Sequence, residues 1–273
     1  MHGASGQSNS ANTAVGHQAL MDVTTGGYNT SLGYRAGYNL TSGGQNTAVG
    51  AYSLFNSQTI SYDTAIGYGA LMDNTGNGSN VAIGWSAMHE TTTAGSSVAI
   101  GYQALKWGTH VRTIAIGYGA MSDTNAGSTS MGSTDNVFMG YNAGGGTWAN
   151  AASSYNTAIG NYTMDAALNG ASYNTTLGYS TLTSLTSGDY NVAIGVYAGD
   201  DIETGGWNVI IGGSASPSYG TDFANNIAIG FDALADGNAN FYRSMGIGRG
   251  AANKNKVSDN MAIGYEALKV HTT

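Results

Sequence analysis

Asn12-Thr13-Ala14-Val15-Gly16 returns, with small changes, along almost the whole chain. Equivalent strings end at Gly33, Gly50, Gly67, Gly84, Gly101, Gly117, Gly140, Gly160, Gly178, Gly195, Gly212, Gly230, Gly248 and Gly264, which makes fifteen copies in 273 residues. The spacing is 17 for the first five steps and mostly 16 to 18 afterwards. Two steps are longer, 23 residues from Gly117 to Gly140 and 20 from Gly140 to Gly160. A fixed period of this size marks an architecture of stacked repeats, each too small to bury its own apolar side.

The columns of this alignment carry the physics. One position before the Gly stands a large aliphatic residue or Met, as in Val15, Leu32, Ile66, Ile83, Met139 and Ile194. Two residues earlier stands Thr, Val, Ile or Met, and between them a mostly tiny residue such as Ala14, Ala65, Ala82 or Ala193. Period-2 alternation with β-branched residues predicts a short strand. A second apolar segment, such as Ala70-Leu71 or Ala104-Leu105, follows four residues after the Gly and suggests a shorter second strand. Turn-prone runs such as Thr24-Thr25-Gly26-Gly27 separate the two. Seventeen residues are too few for a helical crossover between two strands. They suit one coil of a parallel β-solenoid with strand, turn, shorter strand and turn. Large aliphatic residues are expected inside, the Ala column facing away from them, and Asn stacked on Asn at the corner. The Thr column (Thr13, Thr30, Thr47, Thr64) gives way to Val81, Val98 and Ile114, so it is expected to point inward as well. Fifteen coils ~4.8 Å apart would make a rod on the order of 70 Å long.

Composition agrees and excludes other classes. Gly contributes 43 residues, Pro one and Cys none, and only 9% of residues are charged. Long solvated helices and coiled coils need far more Glu, Lys and Arg, and collagen needs Gly at every third position. The net charge of −8, without any Lys/Arg cluster, argues against nucleic acid and anionic membrane as partners. No apolar run reaches the ~20 residues of a transmembrane helix, so membrane insertion is not expected. Residues 1–11 read as a polar lead-in without a secretory h-region, and 12–273 as one repeat domain with insertions in 118–155.

Strings such as Ser97-Val98-Ala99-Ile100-Gly101, Asn80-Val81-Ala82-Ile83-Gly84 and Asn191-Val192-Ala193-Ile194-Gly195 resemble the head repeat of trimeric autotransporter adhesins of the YadA type. Asp63 to Leu71, with its Tyr-x-Ala-Leu ending, is similar to repeats of bacteriophage and other viral tail-fibre proteins. The resemblance runs from Asn12 to Leu268 and implies a left-handed parallel β-roll, three chains packed side by side as a homotrimer. The small Ala column, taken as outward-facing, would then let neighbouring backbones approach at the trimer axis. The family's repeats are shorter, so these coils carry longer corners. The lack of a heptad stalk, anchoring segment or secretion signal favours a phage-fibre shaft or a head domain over an intact autotransporter.

No catalytic constellation is expected. His2, His17, His89, His110 and His271 are scattered without metal spacing, and no nucleophile–base pair or phosphate loop occurs, so neither cofactor nor metal is expected. Tyr recurs just after the Gly (Tyr34, Tyr68, Tyr102, Tyr118, Tyr141, Tyr179, Tyr265, with Trp85 and Phe231 substituting), which suggests a ladder of rings at a corner. Solenoids place insertions on a binding face, so the candidate ligand residues are Tyr141, Trp148 and Tyr155 in the longer coils. The function expected is a non-enzymatic fibre or adhesin segment on a cell or virion surface, contacting a glycan or protein receptor. A self-assembling extracellular filament and an ice- or surface-binding monomer are the alternatives.

Overall fold

The structure, a computed structural model, describes residues 11–124, 132–149, 151–216, 223–235, 242–254 and 258–269. Among them the regular structure is all-β, a parallel β-solenoid with one strand of three residues per coil. The described residues fall into two compact units. The first, up to Thr124 together with 132–135, holds β1 (Thr13–Val15), β2 (Thr30–Leu32), β3 (Thr47–Val49), β4 (Thr64–Ile66), β5 (Val81–Ile83), β6 (Val98–Ile100) and β7 (Ile114–Ile116). The second, from Asn136 onward, holds β8 (Val137–Met139), β9 (Thr157–Ile159), β10 (Thr175–Leu177), β11 (Val192–Ile194), β12 (Val209–Ile211), β13 (Ile227–Ile229), β14 (Met245–Ile247) and β15 (Met261–Ile263).

Within each unit every strand pairs in parallel with the next, always in the register of the repeat. In the first unit, for example, Thr64, Ala65 and Ile66 lie opposite Val81, Ala82 and Ile83. That gives six coil-to-coil steps in the first unit and seven in the second. The conserved spacing thus becomes a set of ladders, and the sequence columns become columns in space.

The inside and outside of the coil are the reverse of the sequence expectation. The Ala column is the core: Ala65, Ala82, Ala99, Ala115, Ala158, Ala193 and Ala228 are fully buried. The large aliphatic column points outward, with Val15 55%, Leu32 48% and Ile66 38% exposed. The Thr column also faces outward, half-buried to exposed. Alternation fixes that the two sets oppose each other, but volume decides which set is inside. The interior is filled from the other side by the Ala-Leu segment, where Leu54, Leu71, Leu105, Leu182 and Leu234 are buried. Together with residues such as Leu40, Ile60 and Leu185, also buried, this leaves room for only a methyl group from the strand. The Ala column therefore cannot be the intermolecular contact.

The Ala-Leu segment is not a second strand. Its Leu residues have φ near +50°, for example Leu54 and Leu71 at 50°, so it runs as a turn. It still bonds coil to coil: the Leu54 N–H donates to Ala70 O at 3.1 Å and Leu71 N–H to Ala87 O at 2.9 Å. The Gly that closes each string is required by close approach. A Cβ on Gly84, at φ +135°, would stand 2.3 Å from the carbonyl oxygen of Gly101.

The Asn column forms a buried ladder. In the second unit the backbone N–H of Asn174 donates to Asn156 Oδ1 (3.0 Å), Asn191 to Asn174 (2.9 Å) and Asn208 to Asn191 (3.2 Å). The side-chain amides of Asn156, Asn174, Asn191 and Asn208 also donate to a carbonyl of the next corner, as Asn191 Nδ2 does to Gly205 O at 2.9 Å. The ladder thereby pairs the Asn amides it takes into the interior, which is what burial demands; where Asp63 replaces Asn in it, Oδ2 is buried without a partner.

Candidate interaction face

The outward side is built by the same alternation that builds the core. In the coil that holds β10, Tyr173, Thr175, Leu177 and Tyr179 are exposed while Asn174 and Thr176 between them are buried. Each coil therefore presents two strand residues flanked by one residue before the Asn column and one after the Gly column. Stacked within a unit, these make two apolar-to-Thr columns with an edge column on either side.

The edges carry most of the exposed rings. In the first unit the post-Gly edge stacks Tyr68, Trp85, Tyr102 and Tyr118, with centroids 6.1, 4.9 and 4.7 Å apart and planes within 11°. In the second unit the pre-Asn edge stacks Tyr155, Tyr173, Tyr190 and Trp207 at 4.9, 4.8 and 4.2 Å. Coil spacing brings the rings into offset-stacking range. The post-Gly ladder is the one the sequence predicts. The pre-Asn ladder was missed because Tyr is interrupted there by Gln45, Ser79, Ser96 and Asn225. Its signal is the residue before each Asn, always exposed or half-exposed and held at φ near +60°, as in Tyr28, Tyr62 and Tyr190.

Of the three candidate ligand residues, two lie on these edges and one does not. Tyr141 is exposed on the post-Gly edge, 5.3 Å edge-on from Tyr162, and Tyr155 begins the pre-Asn stack. Trp148 is fully buried and cannot stack on a ligand. Its Nε1 donates to Gly144 O at 2.9 Å, and its ring packs 5.7 Å from Phe138. Phe138 occupies the Ala column, so the 20-residue coil is longer because it must wrap two aromatic side chains. The extra length of this coil over the 17-residue repeat is explained by core volume. Asn125 to Met131 of the other longer step lie outside the described residues.

Among the described residues the shifted titratable groups stand apart from one another. His110 is buried, with Nε2 3.0 Å from Trp107 O and 2.8 Å from Thr124 Oγ1, and Nδ1 3.3 Å from Ser133 O. Burial holds its pKa below the ordinary histidine value. Asp63 replaces Asn in the ladder, and burial pushes its carboxyl up to about 7. Asp200 is raised to about 6, by burial first and by neighbouring Asp201 second. Among the described residues no group of His, Asp or Glu is placed to hold a metal ion, and no helix is long and apolar enough to cross a membrane.

Among the described residues, the outward face is the arrangement with the extent of a recognition surface. Comparison with family models, with curated proteins and with solved structures finds no match to the chain.

Proposed function

We propose that this chain is a non-enzymatic segment of a structural or adhesive fibre, a homotrimer whose copies pack side by side through the outward aliphatic face. The observation that carries the reading is the orientation of the strand side chains. Each unit presents continuous columns of Val, Ile, Leu, Met and Thr to solvent, flanked by stacked rings. A contiguous exposed apolar face of this kind, rimmed by polar corners, is what marks an interaction site. An identical ladder on another copy has the same ~4.8 Å repeat and so matches it at every coil. Three such faces around one axis remove the apolar columns from water and leave the Ser-, Thr- and Gly-rich corners outside. That arrangement suits an extracellular shaft on a cell or virion, with receptor contacts on the outer corners.

The test is a variant with Ile83→Asp and Ile100→Asp, two outward residues of adjacent strands. The reading expects an intact solenoid by circular dichroism, with loss of association and of attachment to immobilised glycans or cells. Unchanged mass and attachment would remove the face from the function. The outward Thr13, Thr30, Thr47 and Thr64 favour a second reading, a flat ice- or surface-binding array. It covers four coils before Val and Ile take over, and lack of any effect on ice recrystallisation would dispose of it.

A further inference from the structure

The sequence holds two Asn-Gly pairs, Asn77-Gly78 in the first unit and Asn169-Gly170 in the second. Both Asn residues are exposed, in corners between strands. A following Gly, having no Cβ, leaves the side-chain amide carbon of Asn open to attack by the next backbone nitrogen. The two corners place that nitrogen in opposite situations.

Gly78 belongs to a column whose backbone N–H can bond a side chain of the following coil. Gly44 donates to Ser61 Oγ at 3.0 Å, Ser154 to Ser172 Oγ at 3.1 Å and Ser172 to Asp189 Oδ1 at 2.7 Å. Opposite Gly78 the next coil has Gly95, which has no side chain to offer, and among the described residues nothing accepts the Gly78 N–H. The carbonyl of the same peptide group is doubly bonded by contrast. Asn77 O accepts from Asn74 Nδ2 and from Asn80 Nδ2, each at 3.0 Å. Both donors are buried and fixed: Asn74 Oδ1 accepts the Gly76 N–H at 3.1 Å, and Asn80 sits in the Asn ladder. In the second unit the reacting groups are held apart. The Gly170 N–H donates to Ser153 Oγ at 3.1 Å, and Asn169 Oδ1 accepts the Ala151 N–H at 2.9 Å.

We propose that Asn77 is a site of spontaneous deamidation, activated by its own corner, and that Asn169 is protected. Hydroxide removes the unengaged Gly78 N–H proton, and the resulting charge spreads onto Asn77 O, where the Asn74 and Asn80 amides stabilise it. The Gly78 nitrogen then bonds to Asn77 Cγ, the Cγ–Nδ2 bond breaks, and the nitrogen takes protons from water and leaves as ammonia. Water opens the succinimide ring. Breaking its N–Cγ bond gives Asp, and breaking its bond to the α-carbonyl gives isoaspartate, so the net change is one water consumed and one ammonia released. Isoaspartate adds a carbon to the main chain in a corner with little room. A Cβ on Gly76 would stand 2.6 Å from Thr93 Cα, and one on Gly78 would collide with Ser61 O. The product therefore loosens the stacking of this coil.

Peptide mapping by mass spectrometry after incubation of the full chain at mildly alkaline pH tests this, with Asn169 as the internal comparator. Labelling by an isoaspartyl methyltransferase identifies the product. In the folded chain Asn77 should react about tenfold faster than Asn169 or more. In urea, where neither corner exists, the two sites should react at similar rates. A folded Asn77 no faster than Asn169, or a preference for Asn77 that persists unchanged in urea, would overturn the proposal. Asn74→Ala, which removes one donor from Asn77 O, separates activation from mere looseness. It should slow deamidation at Asn77 severalfold, and an unchanged or faster rate would overturn the role given to the two amides.

Discussion

Replacing Asp63 with Asn should stabilise the first unit at neutral pH and leave it unchanged in acid. Asp63 stands in the Asn ladder: its backbone N–H donates to Asn46 Oδ1 at 2.9 Å, and its Oδ1 accepts from the Asn80 backbone N–H (2.7 Å) and Asn80 Nδ2 (3.1 Å). Its Oδ2 is buried with no partner. At the preceding coil the amide in that place is a donor, with Asn46 Nδ2 bonding Asn29 Oδ1 at 3.1 Å and Ile60 O at 3.0 Å. An ionised Asp63 therefore directs a charged oxygen at acceptors, and a proton on it restores the donor. Burial accordingly raises the pKa from 3.8 to about 7.

The folded state holds this proton more tightly than the unfolded chain does. Its contribution is complete in acid, below the unfolded pKa, and is lost as pH rises through the folded value. Three pH units at about 1.4 kcal/mol each set the size of the loss at about 4 kcal/mol between pH 4 and 8. Urea denaturation of wild type and Asp63→Asn across that range isolates the effect. Asp200, Asp165 and Asp201 are also raised but occur in both proteins. The variant should match wild type near pH 4 and exceed it by about 2–4 kcal/mol at pH 8. Equal stabilities at pH 8, or a gap that widens in acid, would refute the ladder argument.

Gly84→Ala should destabilise by about 3 kcal/mol, since the new Cβ meets Gly101 O at 2.3 Å with φ at +135°, and thermal unfolding measures it. Phe138→Ala should lose about 3–5 kcal/mol by emptying the space it shares with Trp148, whereas Ala82→Leu should lose about 1–3 kcal/mol by overfilling a coil with no such space. His110 gives a pH dependence opposite to Asp63. Its depressed pKa means stability present above the unfolded value of ~6.5 and lost as pH falls, and His110→Gln should flatten the acid limb of a stability–pH curve.

The repeat strings revealed the strand positions, the register and the Asn ladder directly, because identical residues at a fixed spacing can pair in only one way. Which face was inside was not legible from alternation. It depended on how much volume Leu54, Leu71 and their equivalents push into the coil from a segment that reads as strand but runs as a turn. Trp148 was misplaced for the related reason that a longer coil looks like an added loop. Only the fully buried Phe138 in a column of Ala explains the added length, and that substitution is visible in the sequence at Val137-Phe138-Met139. The pre-Asn ring ladder was hidden by its substitutions, among them Gln45, Ser79 and Ser96.

The outward aliphatic face is the centre of the account, and the absolute mass of the chain by light scattering, at low and high concentration, tests it most directly. The account predicts three chains at every concentration. One chain of 27.8 kDa, stable with its Val, Ile and Leu columns in water, would contradict it.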